Sequence, residues 1–137
     1  MIAWSSSRGD YAKNLVEVLE TQLEFKFDYS LSLADQSSSE EKDFFFKNIE
    51  ILIDKGGRSN QDVLIIDTQM ANYTNRLTNG IFVPLYRLHE DPDDAVLTTL
   101  LKYLGDFILA DPAVEDFRTK VKEDFKLLEK FNSFKQT

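Results

Sequence analysis

At 137 residues, with 42% hydrophobic and 12% aromatic side chains including 11 Phe, the chain can bury one proper core and is not disordered. A net charge of −8 argues against a nucleic-acid phosphate backbone as partner, since affinity there comes from Lys and Arg, and suits a protein partner with a basic surface. With no Cys and with His89 as the single His, disulfides, thiol chemistry, thiolate or multi-histidine zinc sites and Ser-His-Asp relays are excluded.

No run approaches the ~20 apolar residues that span a bilayer. The first fourteen residues, MIAWSSSRGDYAKN, lack the charged region, apolar core and cleavage site of a secretory signal. The protein is therefore expected to stay where it is made, unless a signal is internal or already removed.

Taken in order, MIAW at positions 1–4 reads as a strand entering the polar loop at 5–9. Such a start inside a buried strand is unusual, because termini are usually solvated. From Asp10, a reasonable N-cap, Tyr11, Leu15, Val18, Leu19 and Leu23 recur at helical spacing. Phe25, Phe27, Tyr29, Leu31 and Leu33 then alternate with Lys26, Asp28, Ser30 and Ser32, which predicts a half-buried edge strand. Positions 35–43 form a polar loop, and Phe44, Phe45, Ile49, Leu52 and Ile53 predict a helix ended by Gly56-Gly57.

Val63, Leu64, Ile65 and Ile66 form a continuous apolar run, expected to be a strand buried on both faces as in a helix-covered parallel sheet. Asp67 ends it, at the carboxyl end where open α/β sheets place ligands and catalytic groups; it equally suits a turn or cap. Positions 70–76 form a short irregular segment, Asn79-Gly80 a turn, and 81–85 a strand that Pro84 makes an edge or irregular one. Asp91-Pro92-Asp93-Asp94 opens a helix carrying Val96, Leu97, Leu100, Leu101, Leu104, Phe107 and Ile108. Asp111-Pro112 opens the last one, with Val114, Phe117, Val121, Phe125 and Leu128 on a stripe that Phe131 and Phe134 continue, and with a solvated Lys/Glu face opposite. This order predicts an α/β fold with a mostly parallel sheet. It forms a single domain over 1–137, with sheet and flanking helices in 1–90 and two C-terminal helices in 91–137.

In that order the pieces resemble the NLI-interacting-factor-like family, the phosphatase domain of RNA polymerase II C-terminal-domain phosphatases within the haloacid dehalogenase superfamily. MIAWSSSRGDYAKNLVEVLE is similar to the family's IVxFTAS strand and following helix, and FDYSLSLADQ to its next strand. FFKNIEIL resembles its VKDLxxL segment and DVLIIDTQMANYTNRLTNGIFVPLY its VxIIDNSPxxYxxxxxNGIPI stretch. DPDDAVLTTLLKYL and DPAVEDFRTKV resemble its closing acidic-to-helical segments. The acidic C-terminal part also resembles the branch that serves as presequence receptor in the mitochondrial inner-membrane translocase.

The resemblance implies an incomplete haloacid-dehalogenase-like (Rossmann-like) sheet. In the family a DxDxT strand supplies the phosphoryl-accepting Asp and the general acid, and no DxDxT occurs in this sequence. Without that carboxylate the covalent route has no first step. The central strand is expected to be missing between the strands at 1–4 and 63–66, which then pair directly or receive a strand from another chain. The resemblance places Ser5 on the phosphate-binding hydroxyl, Lys47 on the phosphate-clamping Lys and Asp67 on the strand-end Asp. Thr68 stands where the family has a magnesium-binding Asn, which weakens a sparse hard-cation site.

Each has a plainer role beside that one. Ser5 can cap a turn, Lys47 can extend to solvent, and Asp67 can pair with Lys47. Tyr73 and Asn79-Gly80 are expected to be structural and His89 a surface residue. The expected function is a non-catalytic, phosphatase-like docking or structural subunit binding no metal or cofactor. Its partners are other protein subunits, one of which could complete the sheet, and its place is at the mitochondrial inner membrane, with cytoplasm or nucleus as the alternative. The competing reading is a magnesium-dependent phosphoprotein phosphatase whose nucleophile strand comes from another chain or a preceding segment.

Overall fold

The structure, a computed structural model, describes residues 1–38, 44–87, 89–90, 92–109 and 116–125. Two compact units make up the chain, Met1–Asn48 and Ile49–Thr137.

In the first unit, strand β1 (Ile2–Trp4), helix α1 (Gly9–Leu23) and strand β2 (Tyr29–Leu31) form a β-α-β crossover. The strands run parallel, Ile2 opposite Tyr29 and Trp4 opposite Leu31. Asp10 lies inside the first turn of α1 rather than at its cap, where its charge faces the positive end of the helix. The helix stops at Glu24, which takes a left-handed conformation (φ 50°). Glu20 seals this end: its carbonyl accepts the Phe25 N–H (3.1 Å) and its carboxylate accepts the Phe27 N–H (2.9 Å) and Lys26 Nζ (3.1 Å). The Phe27 bond is the main reason the Glu20 carboxyl sits below its ordinary 4.5.

The predicted alternating strand is cut short at both ends. Phe25 and Phe27 turn edge-to-face at 5.2 Å, and Leu33–Asp35 forms a 3-10 turn closed by reciprocal Ser32 and Asp35 bonds. Strand β3 (Ser37–Ser38) then pairs antiparallel with β4 (Phe45–Phe46), where a polar loop and a helix were expected. Consecutive aromatics favour extended backbone, and a cross-strand partner outweighs a helical spacing that Ile49 and Leu52 alone can carry. Positions 39–43 of the expected loop lie outside the described residues.

The second unit begins with helix α2 (Glu50–Gly56), ended by Gly57 at φ 63°, a left-handed position that glycine adopts without strain. A 3-10 turn (Asn60–Asp62) leads to strand β5 (Ile65–Asp67). A 3-10 segment (Met70–Asn79), broken at Tyr73 and Arg76, connects it to strand β6 (Gly80–Phe82). β5 and β6 run parallel, Ile65 opposite Gly80 and Asp67 opposite Phe82. Asn79-Gly80 is therefore an entry into a parallel strand, not a hairpin turn.

β5 is shifted by comparison with the apolar run: Ile66 is 40% exposed and Asp67 is buried. Residues 65 and 67 share one face and Ile66 takes the other, which is open, so four apolar residues in a row did not imply two covered faces.

Helix α3 (Val96–Tyr103) continues as a π-helical turn (Leu104–Leu109), and α4 spans Phe117–Phe125. α3 starts after Asp94, whose carboxylate accepts the Val96 N–H at 2.9 Å. Ile81, Val83, Leu100 and Val121 form the core, with Leu64, Phe117 and Phe125 packed against it. Asp91, Asp111-Pro112, Val114, Leu128, Phe131 and Phe134 of the predicted C-terminal helices lie outside the described residues. Among the described residues the strands form three two-stranded pieces, two parallel and one antiparallel, not one continuous sheet.

Candidate functional site

Both parallel pairs end in loops that carry the polar residues singled out above, the ends at which open α/β sheets bind ligands. After β1, the Ser5 N–H donates to the Leu31 carbonyl (3.0 Å), prolonging the pairing, while Ser5 Oγ accepts the Ser7 N–H (3.1 Å). The Leu33 N–H donates to the Ser7 carbonyl (3.0 Å) and Gln36 Nε2 to Ser6 Oγ (2.8 Å), so this serine loop is laced to the segment after β2. Trp4 Nε1 adds a bond to the Ser32 carbonyl (3.2 Å). Ser5 thus closes a local turn, and its hydroxyl hydrogen can still donate to an anion.

At the end of β5, Asp67 is 9% exposed. One carboxylate oxygen accepts the Gln69 N–H (2.9 Å) and the other accepts Asn72 Nδ2 (3.0 Å). Its carbonyl takes the Val83 N–H (3.0 Å), which extends the β5–β6 ladder. The carboxylate therefore shapes the first turn of the 3-10 segment through two donors of its own loop. Thr68 beside it is half-buried.

Tyr73 and Asn79 set the rest of this loop. Tyr73 is fully buried, and burial, then the Asp67 charge, pushes its phenol well above the ordinary 10.0. Its ring lies over Gly80: a Cβ there would come within 2.1 Å of a ring carbon. Asn79, also fully buried, donates through Nδ2 to the carbonyls of Asn60 (2.6 Å) and Val63 (2.8 Å). Asn72 and Asn79 are the residues that local pattern did not single out for these tasks. A buried amide facing a strand end is a tertiary feature with no periodic signature.

Lys47 lies between β4 and α2, outside any helix, and is 8% exposed. It is thus buried rather than extended to solvent along a helix, the plainer of the two roles considered for it. His89 is exposed. Ser5 and Lys47 belong to the first unit, Asp67 and Thr68 to the second.

The oxygen donors at the end of β5 are sparse for a magnesium ion. Such an ion asks for octahedral oxygen ligands with one or two carboxylates. Here the loop supplies one carboxylate, both of whose oxygens accept loop donors, and a threonine hydroxyl in place of an amide carbonyl. Among the described residues no three His, Cys, Asp or Glu side chains gather into a group able to hold a metal. Among the same residues no helix is long and apolar enough to cross a membrane.

A family model described as NLI interacting factor-like phosphatase matches residues 1–126. No curated protein matches the chain.

Proposed function

The chain belongs to the NLI interacting factor-like phosphatase family, and on that footing we propose that residues 1–137 form a phosphatase-like domain that performs no phosphoryl transfer and serves as a structural or docking subunit of a larger assembly. The parallel strand pairs and flanking helices are consistent with a haloacid-dehalogenase-like fold. The observation that carries the reading is Asp67. The carboxylate aligned with the family's strand-end Asp is occupied in bonds to Gln69 and Asn72, next to Thr68 where an Asn would assist a metal. Within the 137 residues no DxDxT motif occurs, so these residues do not themselves supply the family's nucleophilic carboxylate. We place the assembly at the mitochondrial inner membrane, a reading supported by the resemblance of the acidic C-terminal part to the translocase branch.

The test is hydrolysis of p-nitrophenyl phosphate by the purified chain with magnesium. Rates equal to the buffer blank are expected; turnover that Asp67→Asn abolishes would overturn the proposal. A second reading is favoured by one feature: β1 and β5 each pair with a single strand among the described residues. In that reading a DxDxT-bearing strand from another polypeptide or a preceding segment completes a magnesium-dependent phosphatase. Turnover that appears only when a DxDxT strand peptide is added would select it.

A further inference from the structure

Asn79-Gly80 is the single Asn-Gly step in the sequence, and no Asp-Gly step occurs. Such a step is the one most open to spontaneous loss of the amide, because a glycine has no Cβ to hinder attack by its own backbone nitrogen. In the reaction the Gly80 nitrogen gives up its proton and bonds to Asn79 Cγ, the Cγ–Nδ2 bond breaks and ammonia leaves. Water then opens the cyclic imide at either carbonyl, leaving Asp or isoaspartate at position 79. The folded loop holds each participant away from that course. Asn79 is fully buried, and its Nδ2 donates to the carbonyls of Asn60 (2.6 Å) and Val63 (2.8 Å). The Gly80 N–H donates to the Leu77 carbonyl, with the Tyr73 ring packed over the glycine. No donor reaches Asn79 Oδ1 among the described residues, so nothing polarises its Cγ for attack.

We propose that Asn79 is a modification site gated by the fold: it keeps its amide while the Met70–Asn79 segment is closed, loses it when the segment opens, and then prevents the loop from re-forming. The proposal is independent of whether the chain transfers phosphoryl groups. The product accounts for the one-way character. Conversion replaces the Nδ2 donor by a carboxylate oxygen facing the Asn60 and Val63 carbonyls, an unpaired charge in a fully buried site. Isoaspartate also adds a methylene to the main chain immediately before β6, whose pairing begins with Gly80 opposite Ile65. The segment lost in this way is the one whose Asn72 holds the Asp67 carboxylate. The lifetime of the loop is therefore set by how often it opens.

The test incubates the whole chain in mildly alkaline buffer, with and without urea, and follows position 79 by mass spectrometry of proteolytic peptides. The folded chain is expected to convert at least about a hundred-fold more slowly than the unfolded one, since only a small fraction of it is open at any time. In urea, where the Tyr73 ring no longer matters, Gly80→Ala is expected to slow conversion, which ties the reaction to attack by the residue 80 nitrogen. Chain aged in urea is then returned to buffer and separated by size-exclusion chromatography. The folded fraction is expected to carry Asn79, and the fraction that fails to refold Asp or isoaspartate. Asn79→Asp made directly should share that failure, read by circular dichroism. Equal conversion rates in the folded and unfolded chains would overturn the proposal. So would converted chain that refolds as completely as the unconverted one.

Discussion

Gly80 is required by space alone: its backbone is extended, so any residue could adopt its angles, but none other fits under Tyr73. Gly80→Ala places a methyl group 2.1 Å from a ring carbon that is itself fully buried. Overpacking of this kind costs about 3 kcal/mol, and denaturant unfolding of the variant should register it. Tyr73→Phe goes the other way. The Tyr73 hydroxyl is buried with no hydrogen-bond partner among the described residues. Removing it should be neutral or stabilising by up to about 1 kcal/mol, because a desolvated, unmatched group is lost and the ring is kept. Loss of more than that on the same unfolding curve would mean that the hydroxyl is bonded in solution. Together the two variants separate the roles of ring and hydroxyl in the loop that holds Asp67.

At the scale of elements, α3 and α4 are tied by one polar contact above an apolar one. Tyr103 Oη donates to an Asp124 carboxylate oxygen (2.6 Å), Lys120 pairs with the same oxygen (3.3 Å), and the Tyr103 and Phe125 rings meet edge-to-face at 5.2 Å. The Tyr103 bond is the main reason the Asp124 carboxyl sits below its ordinary 3.8, with Lys120 adding to it. A carboxyl depressed in the folded state contributes stability that is present above its unfolded value and is lost as pH falls through its folded value. Tyr103→Phe should therefore be less stable than the parent at pH 6, and the two should converge as pH falls through the lowered folded-state value of Asp124. Thermal melts across that range measure it, and a constant difference at all pH values would show that the hydroxyl contributes nothing through Asp124. The helices themselves were partly legible. Gly57 was readable as a stop because glycine takes a left-handed φ without strain, and the 3,4 spacing of Tyr11 to Leu23 is a local signature of α1. The β3–β4 pair was not, because Ser37–Ser38 becomes a strand only by meeting Phe45–Phe46.

For the whole molecule the proposal to test is assembly. Mild isolation of the endogenous protein should find it in a complex larger than the monomer and in the inner-membrane fraction, with no DxDxT-bearing chain beside it. A monomer in the soluble fraction would defeat the proposed location and role together, and a DxDxT partner would select the split phosphatase. Size-exclusion chromatography with mass spectrometry of the eluted complex provides the reading.

From its residues alone this chain determined an α/β composition, the order of its main strands and helices, and membership of a phosphatase family, because periodicity, turn residues and motif order are local properties. The tertiary structure decided what those patterns meet. It buried Lys47 and turned Asp67 toward Asn72. It made Asn79 a clamp on Asn60 and Val63, and it left the apolar stripe of α1 uncovered. A period of 3.6 specifies which side of a helix is apolar. Whether anything covers that side depends on residues distant in sequence, and burial and hydrogen-bond partners are fixed only when the chain brings them together.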